Sequence, residues 1–537
     1  MDNDEILVHQ VLEDQQDMTA VETFAFKHDF HQLPSGAGPY KQLIPKTTPG
    51  PGQQYAFEVN LDQCTGCKAC VTACHNENGL EEDETWRSVG LIHGVIADQP
   101  VIQHVTSACH HCLDPACMNG CPVKAYEKDP VTGVVKHLGD QCIGCQYCIF
   151  KCPYDVPKYS KRKGIVHKCD MCISRLEVGQ APACVRACPN EAIRITLVDT
   201  AVVRKDPSEF VRIPQAPDSR YTLPTTRYVT DKKLTPDMTS MDAAVFEPEH
   251  PHMPLVVMLV LTQLSVGAFC VEGLVNYSLQ DDLRVLLIPA HALTALAFGL
   301  LALGASIFHL GRPLYAFRAL LGLKTSWLSR EILAFGVFAS LAFAYAVRVK
   351  YAPAGFAVSA AGLFAVFASV MVYRDTHRVL WDTPMTTFKF FMTAAILGTV
   401  TVMAVSLSVC AVYSPQNFVD VLRAVGIPLG RVMAALTLVK IVVEASLFSY
   451  LRHPRMTPLK KSAALMSGPL RAWTTQRFIY GTVGGVVLPV LFLVMKDYLT
   501  PSWVLTWVGV MAAMTAAGEI MERYLFFRAV TPLSARG

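Results

Sequence analysis

Sixteen of the chain's eighteen cysteines lie between Cys64 and Cys188, in four groups of four. The groups are Cys64, Cys67, Cys70 and Cys74; Cys109, Cys112, Cys117 and Cys121; Cys142, Cys145, Cys148 and Cys152; and Cys169, Cys172, Cys184 and Cys188. The third reads CIGCQYCIFKCP, with three cysteines at two-residue spacing, a fourth after three residues, and then proline. Three thiolates from one tight loop can cap three irons of a cubane, so a fourth has to arrive from elsewhere. In two-cluster ferredoxins this run sends its fourth cysteine to the neighbouring cluster. Four such groups predict four [4Fe-4S] clusters in two pairs, with Cys74, Cys121, Cys152 and Cys188 each crossing to the other cluster of its pair. Zinc ribbons use C-x-x-C pairs, and disulfide frameworks belong to small secreted domains. Neither explains the third cysteine at two-residue spacing, nor Pro122, Pro153 and Pro189 after the fourth. In the first group His75 stands where that proline would be, a departure that touches the local turn and not the ligand set.

The elements that must position these loops are short. Residues 1–54 are polar, contain proline and glycine and lack periodicity, and read as an N-terminal arm. Residues 55–206 read as an α+β ferredoxin-like domain. Within it, Tyr55–Val59 alternates as a strand, and Gly94–Ile96 and Val101–Val105 supply β-branched runs that flank the cluster loops. Lys158, Lys161, Arg162 and Lys163 form a basic run suited to lipid headgroups or a partner. Residues 207–252 are rich in proline and polar side chains, and read as a linker that no strand or helix crosses.

Hydrophobic residues make up 52% of the 537 and charged residues 17%, and the apolar share is concentrated after Pro254. There, residues 253–537 read as an all-α polytopic membrane domain of eight transmembrane helices, near 255–277, 285–308, 331–349, 352–373, 388–412, 431–450, 478–497 and 503–526. An even number of spans puts both ends of this domain on one side. The short loops on that side hold fourteen lysines and arginines against five opposite. The positive-inside rule therefore places the iron-sulfur domain in the cytoplasm, at a bacterial inner membrane. The N-terminus shows no export signal. A net charge of +3 and the lack of a basic, aromatic-laced stripe exclude nucleic acid as a partner.

Ionisable residues inside membrane spans are expensive, and so are functional candidates. They are Glu272, His291, His309, Glu331, Lys440 with Glu444, and Glu519 with Arg523. Lys440 and Glu444 read as a pair that neutralises itself on one helix face. Lone Cys270 and Cys410 read as packing. His309 and Glu331 fall at the same rim of neighbouring helices, where a titratable histidine and a carboxylate suit hydrogen bonding to a quinone carbonyl and carriage of its protons. Anchorage of the helix ends at the headgroups is the competing reading for these two.

These motifs carry a resemblance. Residues 55–200, with CTGCKACVTACHNENG, ACHHCLDPACMNGCP, CIGCQYCIFKCPYDVPKY and KCDMC followed by PACVRACPNEAI, resemble the four-cluster iron-sulfur subunit of dimethyl sulfoxide reductase-type molybdoenzymes. Residues 253–537, with HLGRP, SWLSREIL and AGEIMERYLFF, resemble the membrane anchor of the same enzymes. The resemblance implies a fusion of two subunits: a non-catalytic, quinone-binding electron-transfer module. It relays electrons between a separate molybdopterin-containing catalytic subunit and the quinone or quinol of the membrane. The cluster sets it implies are Cys64, Cys67 and Cys70 with Cys188; Cys169, Cys172 and Cys184 with Cys74; Cys109, Cys112 and Cys117 with Cys152; and Cys142, Cys145 and Cys148 with Cys121. Cys145 occupies a position that is tryptophan in relatives with a [3Fe-4S] cluster, so four full cubanes are expected. His309 and Glu331 fall on the family's quinol-site residues. A cytoplasm-facing complex is similar to quinone-linked sulfite dehydrogenases. A redox-driven proton-translocating module, using Glu272, Lys440, Glu444 and Glu519, is the alternative.

Overall fold

The computed structural model describes residues 39–531 other than 97–98, 348–351, 497 and 499, and the chain divides into two compact units at Ala244/Val245. Most of the expected N-terminal arm lies outside the described residues. Its described end is not free of the domain, because Tyr40 and Leu43 are buried in the core of the first unit.

In that unit β1 (Gln53–Asn60) is the central strand. It carries Tyr55, Ala56, Phe57 and Val59 into the interior and pairs with two partners. β2 (Ser88–Ile96) and β3 (Gln99–Ser107) form an antiparallel ribbon, and β4 (Tyr126–Lys128) pairs with β5 (Val135–His137). β6 (Lys158–Ser160) pairs with β7 (Ile165–His167). β8 (Ile193–Asp199) lies antiparallel to β1, with Tyr55 opposite Leu197. The cysteine loops fill the space between these strands, so a small β frame fixes four irregular loops.

The expected linker is corrected by the structure. β9 (Arg227–Val229) runs parallel to the other edge of β1, and β10 (Thr239–Ser240) pairs with β2. Proline is confined to strand ends and edges because it removes a ladder donor, and both added strands are short edge strands between prolines. Phe210, Val211, Tyr228 and Met238 anchor the segment by burial, a spaced apolar signal that proline content masked.

The second unit contains all eight spans: Met253–Val275, Asp281–Ile307, Trp327–Val347, Ala354–Arg374, Pro384–Tyr413, Pro415–Arg452, Arg471–Met495 and Pro501–Arg528. The first is the central helix, with 72% of its apolar window buried against 28% for the sixth and seventh. Its Gly267 meets the fifth span so closely that a Cβ there would collide with the carbonyl of Ala394, the close approach that small residues permit between membrane helices. Two spans start earlier than their apolar runs. The sixth holds a π-helical turn at Leu422–Gly426 just before Pro428, and the seventh one at Val483–Val487 before Pro489. Proline cannot donate to the carbonyl four residues back, and a π-turn re-routes the freed bonds without ending the helix. The first turns of the seventh span carry Arg471 and Arg477, which hydropathy alone leaves outside.

Candidate iron-sulfur and membrane sites

The four cysteine groups share a local backbone design. The residue before each second cysteine is left-handed: Gly66 (φ 75°), His111 (φ 42°), Gly144 (φ 69°) and Met171 (φ 63°). This turns amide N–H groups inward, and those of Gly144 and Met171 donate to Cys142 Sγ and Cys169 Sγ, each at 3.4 Å. At Gly66 the requirement is double, since a Cβ would also strike the His104 ring and a side chain rarely tolerates that φ.

After the fourth cysteine a second turn recurs. Lys124, Asp155 and Glu191 stand three residues beyond Cys121, Cys152 and Cys188, with φ of 54°, 50° and 54°. The next amides close back, Ala125 to Cys121 Sγ and Ala192 to Cys188 Sγ, both at 3.2 Å. The first group lacks the proline, and the consequence is visible. Its helix, Ala69–Asn78, runs on through Cys74 and His75 to Gly79, and Asn78 Nδ2 approaches Cys74 Sγ at 3.7 Å.

The fold gathers the cysteines into four sets. One cavity is lined by Cys64, Cys67, Cys70 and Cys188, and another by Cys109, Cys112, Cys117 and Cys152. Cys74 lies beside Cys172 and Cys184, with Cys169 next to Cys74 and Cys172. Cys145 and Cys148 lie beside Cys121 and Cys142. These are the sets that the resemblance implies. None of the eighteen cysteines forms a disulfide. Among the described residues no three histidine, cysteine or acidic side chains converge on a point suited to one metal ion. Sulfurs sharing one zinc sit about 3.8 Å apart, from Zn–S bonds of about 2.3 Å, whereas thiolates capping the corners of a cubane are spread wider. The donor chemistry and the cavities therefore fit cubanes. Burial, and next the neighbouring Cys184, push the Cys74 thiol up to about 12; burial pushes Cys172 up to about 11. Loading with metal must therefore displace protons from these thiols.

Three buried side chains other than cysteine stand between sets. Arg87 is within electrostatic reach of Cys70, Cys74, Cys169 and Cys184. Lys168 Nζ is 3.6 Å from Cys109 Sγ, and Tyr126 lies by Cys117, Cys121 and Cys148. The one sequence signal for any of them is the adjacency of Lys168 to Cys169. The basic run is partly neutralised, by Lys158 with Asp155 at 2.6 Å and Arg162 with Glu81 at 3.2 Å.

In the membrane unit, His309 follows the second span, and its ring packs edge-on against His252 with centroids 5.2 Å apart. Glu331, in the second turn of the third span, is 4% exposed. One of its carboxylate oxygens has no hydrogen-bond partner. The connection between the two runs through aromatic rings: His252 to Phe527 at 5.7 Å, Phe527 to Tyr373 at 5.6 Å, and Tyr373 beside Glu331.

The other ionisable residues assemble differently from the expected pairs. Lys440 is 3.7 Å from Glu444, but its closest partner is Glu519 on the eighth span. Glu444 is held by Arg477 through two bonds of 2.9 Å. Arg477 also reaches Glu519 at 3.1 Å, and Lys389 reaches Glu522 at 3.3 Å. Arg523 turns from Glu519 to Gln263, 3.1 Å away, and lies over the Phe390 ring. The self-neutralising pair is thus part of a buried network over five spans, the first and the fifth to the eighth. Glu272 belongs to another group, with Tyr345 and Asn276, nine residues and about 13 Å along the first span from Gln263. His291 bonds Ser406 at 2.8 Å. Cys410 donates to the Ser414 carbonyl.

Comparison with known proteins agrees with this architecture. Residues 101–197 match the family model of the 4Fe-4S dicluster domain, and residues 247–528 match that of the DMSO reductase anchor subunit (DmsC). The chain is 37% identical over 156 residues to the B subunit of the anaerobic dimethyl sulfoxide reductase of Haemophilus influenzae, covering 27% of this chain and 76% of that protein. It is 34% identical over 179 residues to the B subunit of the same enzyme from Escherichia coli (strain K12), covering 32% and 86%. With the hydrogenase-2 operon protein HybA of Escherichia coli O157:H7 it shares 38% over 156 residues, 24% of this chain and 48% of that protein. The chain belongs to the dimethyl sulfoxide reductase anchor subunit family, and carries an iron-sulfur electron-transfer domain in the same polypeptide. It is a multi-pass membrane protein that binds iron-sulfur clusters.

Proposed function

We propose that this chain wires a separate molybdopterin-containing catalytic subunit to the quinone pool of a bacterial inner membrane through four [4Fe-4S] clusters. The observation that carries the reading is the gathering of sixteen cysteines into four sets in series. Cys70 of the first set adjoins Cys184 of the second, Cys169 of the second adjoins Cys109 of the third, and Tyr126 stands between the third and the fourth. When bound, the clusters supply one-electron donor and acceptor sites. The chain's own part is to fix the spacing with its β frame, to turn N–H donors toward thiolates, and to bury most of them, Cys67 being the exposed one.

At the membrane end, His309 and Glu331 are the proposed quinone ligands. A buried carboxylate oxygen with no hydrogen-bond partner, on Glu331 at the end of the bundle where the first span begins, supports the assignment, and a path of packed rings leads from it through Tyr373, Phe527 and His252 to His309. These groups can donate to a carbonyl and take up the protons that accompany two electrons. Among the described residues the Glu272 group and the Lys440 network share no hydrogen bond, which disfavours the proton-translocating alternative. Charge in the loops supports a cytoplasmic position for the iron-sulfur domain.

The test is metal analysis with spectroscopy on the full chain, purified anaerobically in detergent. About sixteen irons per chain and coupled [4Fe-4S] signals on reduction are expected, with reoxidation by added quinone. Stoichiometric zinc in place of iron overturns the reading.

A further inference from the structure

We propose that Arg87 and Lys168 are positioning cations placed between successive cysteine sets, where their charge holds the flanking clusters in register and raises their reduction potentials. The inference rests on the four-cluster reading. Arg87 is 2% exposed and Lys168 3%. A charge so buried needs a compensating partner, yet among the described residues neither forms an ion pair with a carboxylate. The anionic groups around Arg87 are thiolates of two sets, Cys70 from the first and Cys74, Cys169 and Cys184 from the second. Those around Lys168 are Cys109 and Cys117 of the third set, Cys169 of the second and, after these, the carboxylate of Asp170.

The geometry separates the two roles. Arg87 uses Nη1 on Thr106 Oγ1 at 3.1 Å, and Thr106 Oγ1 lies 3.6 Å from Cys70 Sγ. Its Nε and Nη2 are buried with no hydrogen-bond partner in the protein, and the guanidinium rests over the Phe57 ring at 4.7 Å. A planar fork with five donors can aim separate N–H groups at two sulfur sets. Lys168 Nζ donates to the carbonyls of Val135 and Cys169 and approaches Cys109 Sγ at 3.6 Å. It thereby lines the third set's cavity while its own backbone leads into the second. At the next junction the group by Cys117 and Cys148 is a neutral phenol, Tyr126.

Each electron that arrives adds negative charge to a site ringed by four thiolates, so a fixed cation beside it favours the reduced form, and net charge is one of the terms that sets a cluster's potential. The second set lies between both cations and should be raised most.

Anaerobic redox titration of the full chain in detergent, read by the EPR signals of its clusters, tests this. Arg87→Gln and Lys168→Met should each lower the reduction equilibrium constant of the adjoining clusters at least tenfold, which is 59 mV for a one-electron couple. Both should move one shared signal, and the double variant should move it further than either. Tyr126→Phe, Arg87→Lys and Lys168→Arg should stay within threefold of the parent. Neutral variants that hold about sixteen irons and titrate like the parent overturn the proposal, as does an equal shift of all four signals. If neither neutral variant loads with iron, the charge-retaining pair decides: loading with parental potentials supports the proposal, and failure to load overturns it. A parent chain with far fewer irons refutes the four-cluster reading instead, a separate outcome.

Discussion

Arg477 on the seventh span grips both carboxylate oxygens of Glu444 on the sixth, each at 2.9 Å, and both side chains are buried, 2% and 6% exposed. Removing one partner strands the other in a low-dielectric interior, at a cost of about 3–5 kcal/mol. Arg477→Ala should therefore lower the thermal stability of the detergent-solubilised protein sharply. Replacing both, as Arg477→Met with Glu444→Leu, should recover much of the loss, since Glu519 keeps Lys440. A thermal-shift assay checks it; an Arg477→Ala protein as stable as the parent shows that the network contributes nothing.

The turn after Cys188 makes a backbone prediction. Glu191 holds φ 54° so that the next amide reaches Cys188 Sγ. A left-handed residue costs about 1–2 kcal/mol, and a β-branched one is a genuine outlier there. Glu191→Gly should keep its cluster as well as the parent does, whereas Glu191→Val should lose it faster. The decay of iron-sulfur absorbance on warming measures both, and equal decay rates would falsify the strain argument.

The quinone assignment predicts a split between two assays. His309→Ala and Glu331→Gln should leave iron content and dye-linked turnover of the assembled complex intact while reducing quinone-linked turnover at least about a hundredfold, the lower end for a lost proton-transfer group. Parental quinone rates in both variants would move the site elsewhere, with the pocket lined by Lys389, Glu444, Arg477 and Glu522 as the next to probe.

Sidedness follows from loop charge and is checked without reference to the clusters. A reporter active only in the periplasm, fused after Leu279 or Thr500, should give signal, and one fused after Leu320 or Ser467 none. The reverse pattern turns the complex outward.

Much of the architecture was legible because its signals are local. Two-residue cysteine spacing specifies a loop wound around a cubane, and a run of about twenty apolar residues specifies a span whatever its neighbours. The break at Pro254 separated the two chemistries for the same reason. Less legible was the segment after Pro207. Its strands exist because Tyr228 and Met238 fill a core made by β1 and β2, and a three-residue strand has no periodicity of its own.

What the sequence determined by itself is the donor inventory: sixteen thiolates in four loops, eight spans and a handful of intramembrane charges. Tertiary structure decided how these meet. Lys440 and Glu444 are four residues apart, yet Glu519, 79 residues from Lys440, is the lysine's nearest partner, and Arg477, 33 residues from Glu444, holds that carboxylate. Likewise Arg87 became a neighbour of Cys169 and Cys184 only when β2 packed against the cysteine loops. In water a charge can find its counter-charge in solvent and salt. Once buried it must take what the fold places within a few ångströms, and that proximity is set by long-range packing, which no local spacing encodes.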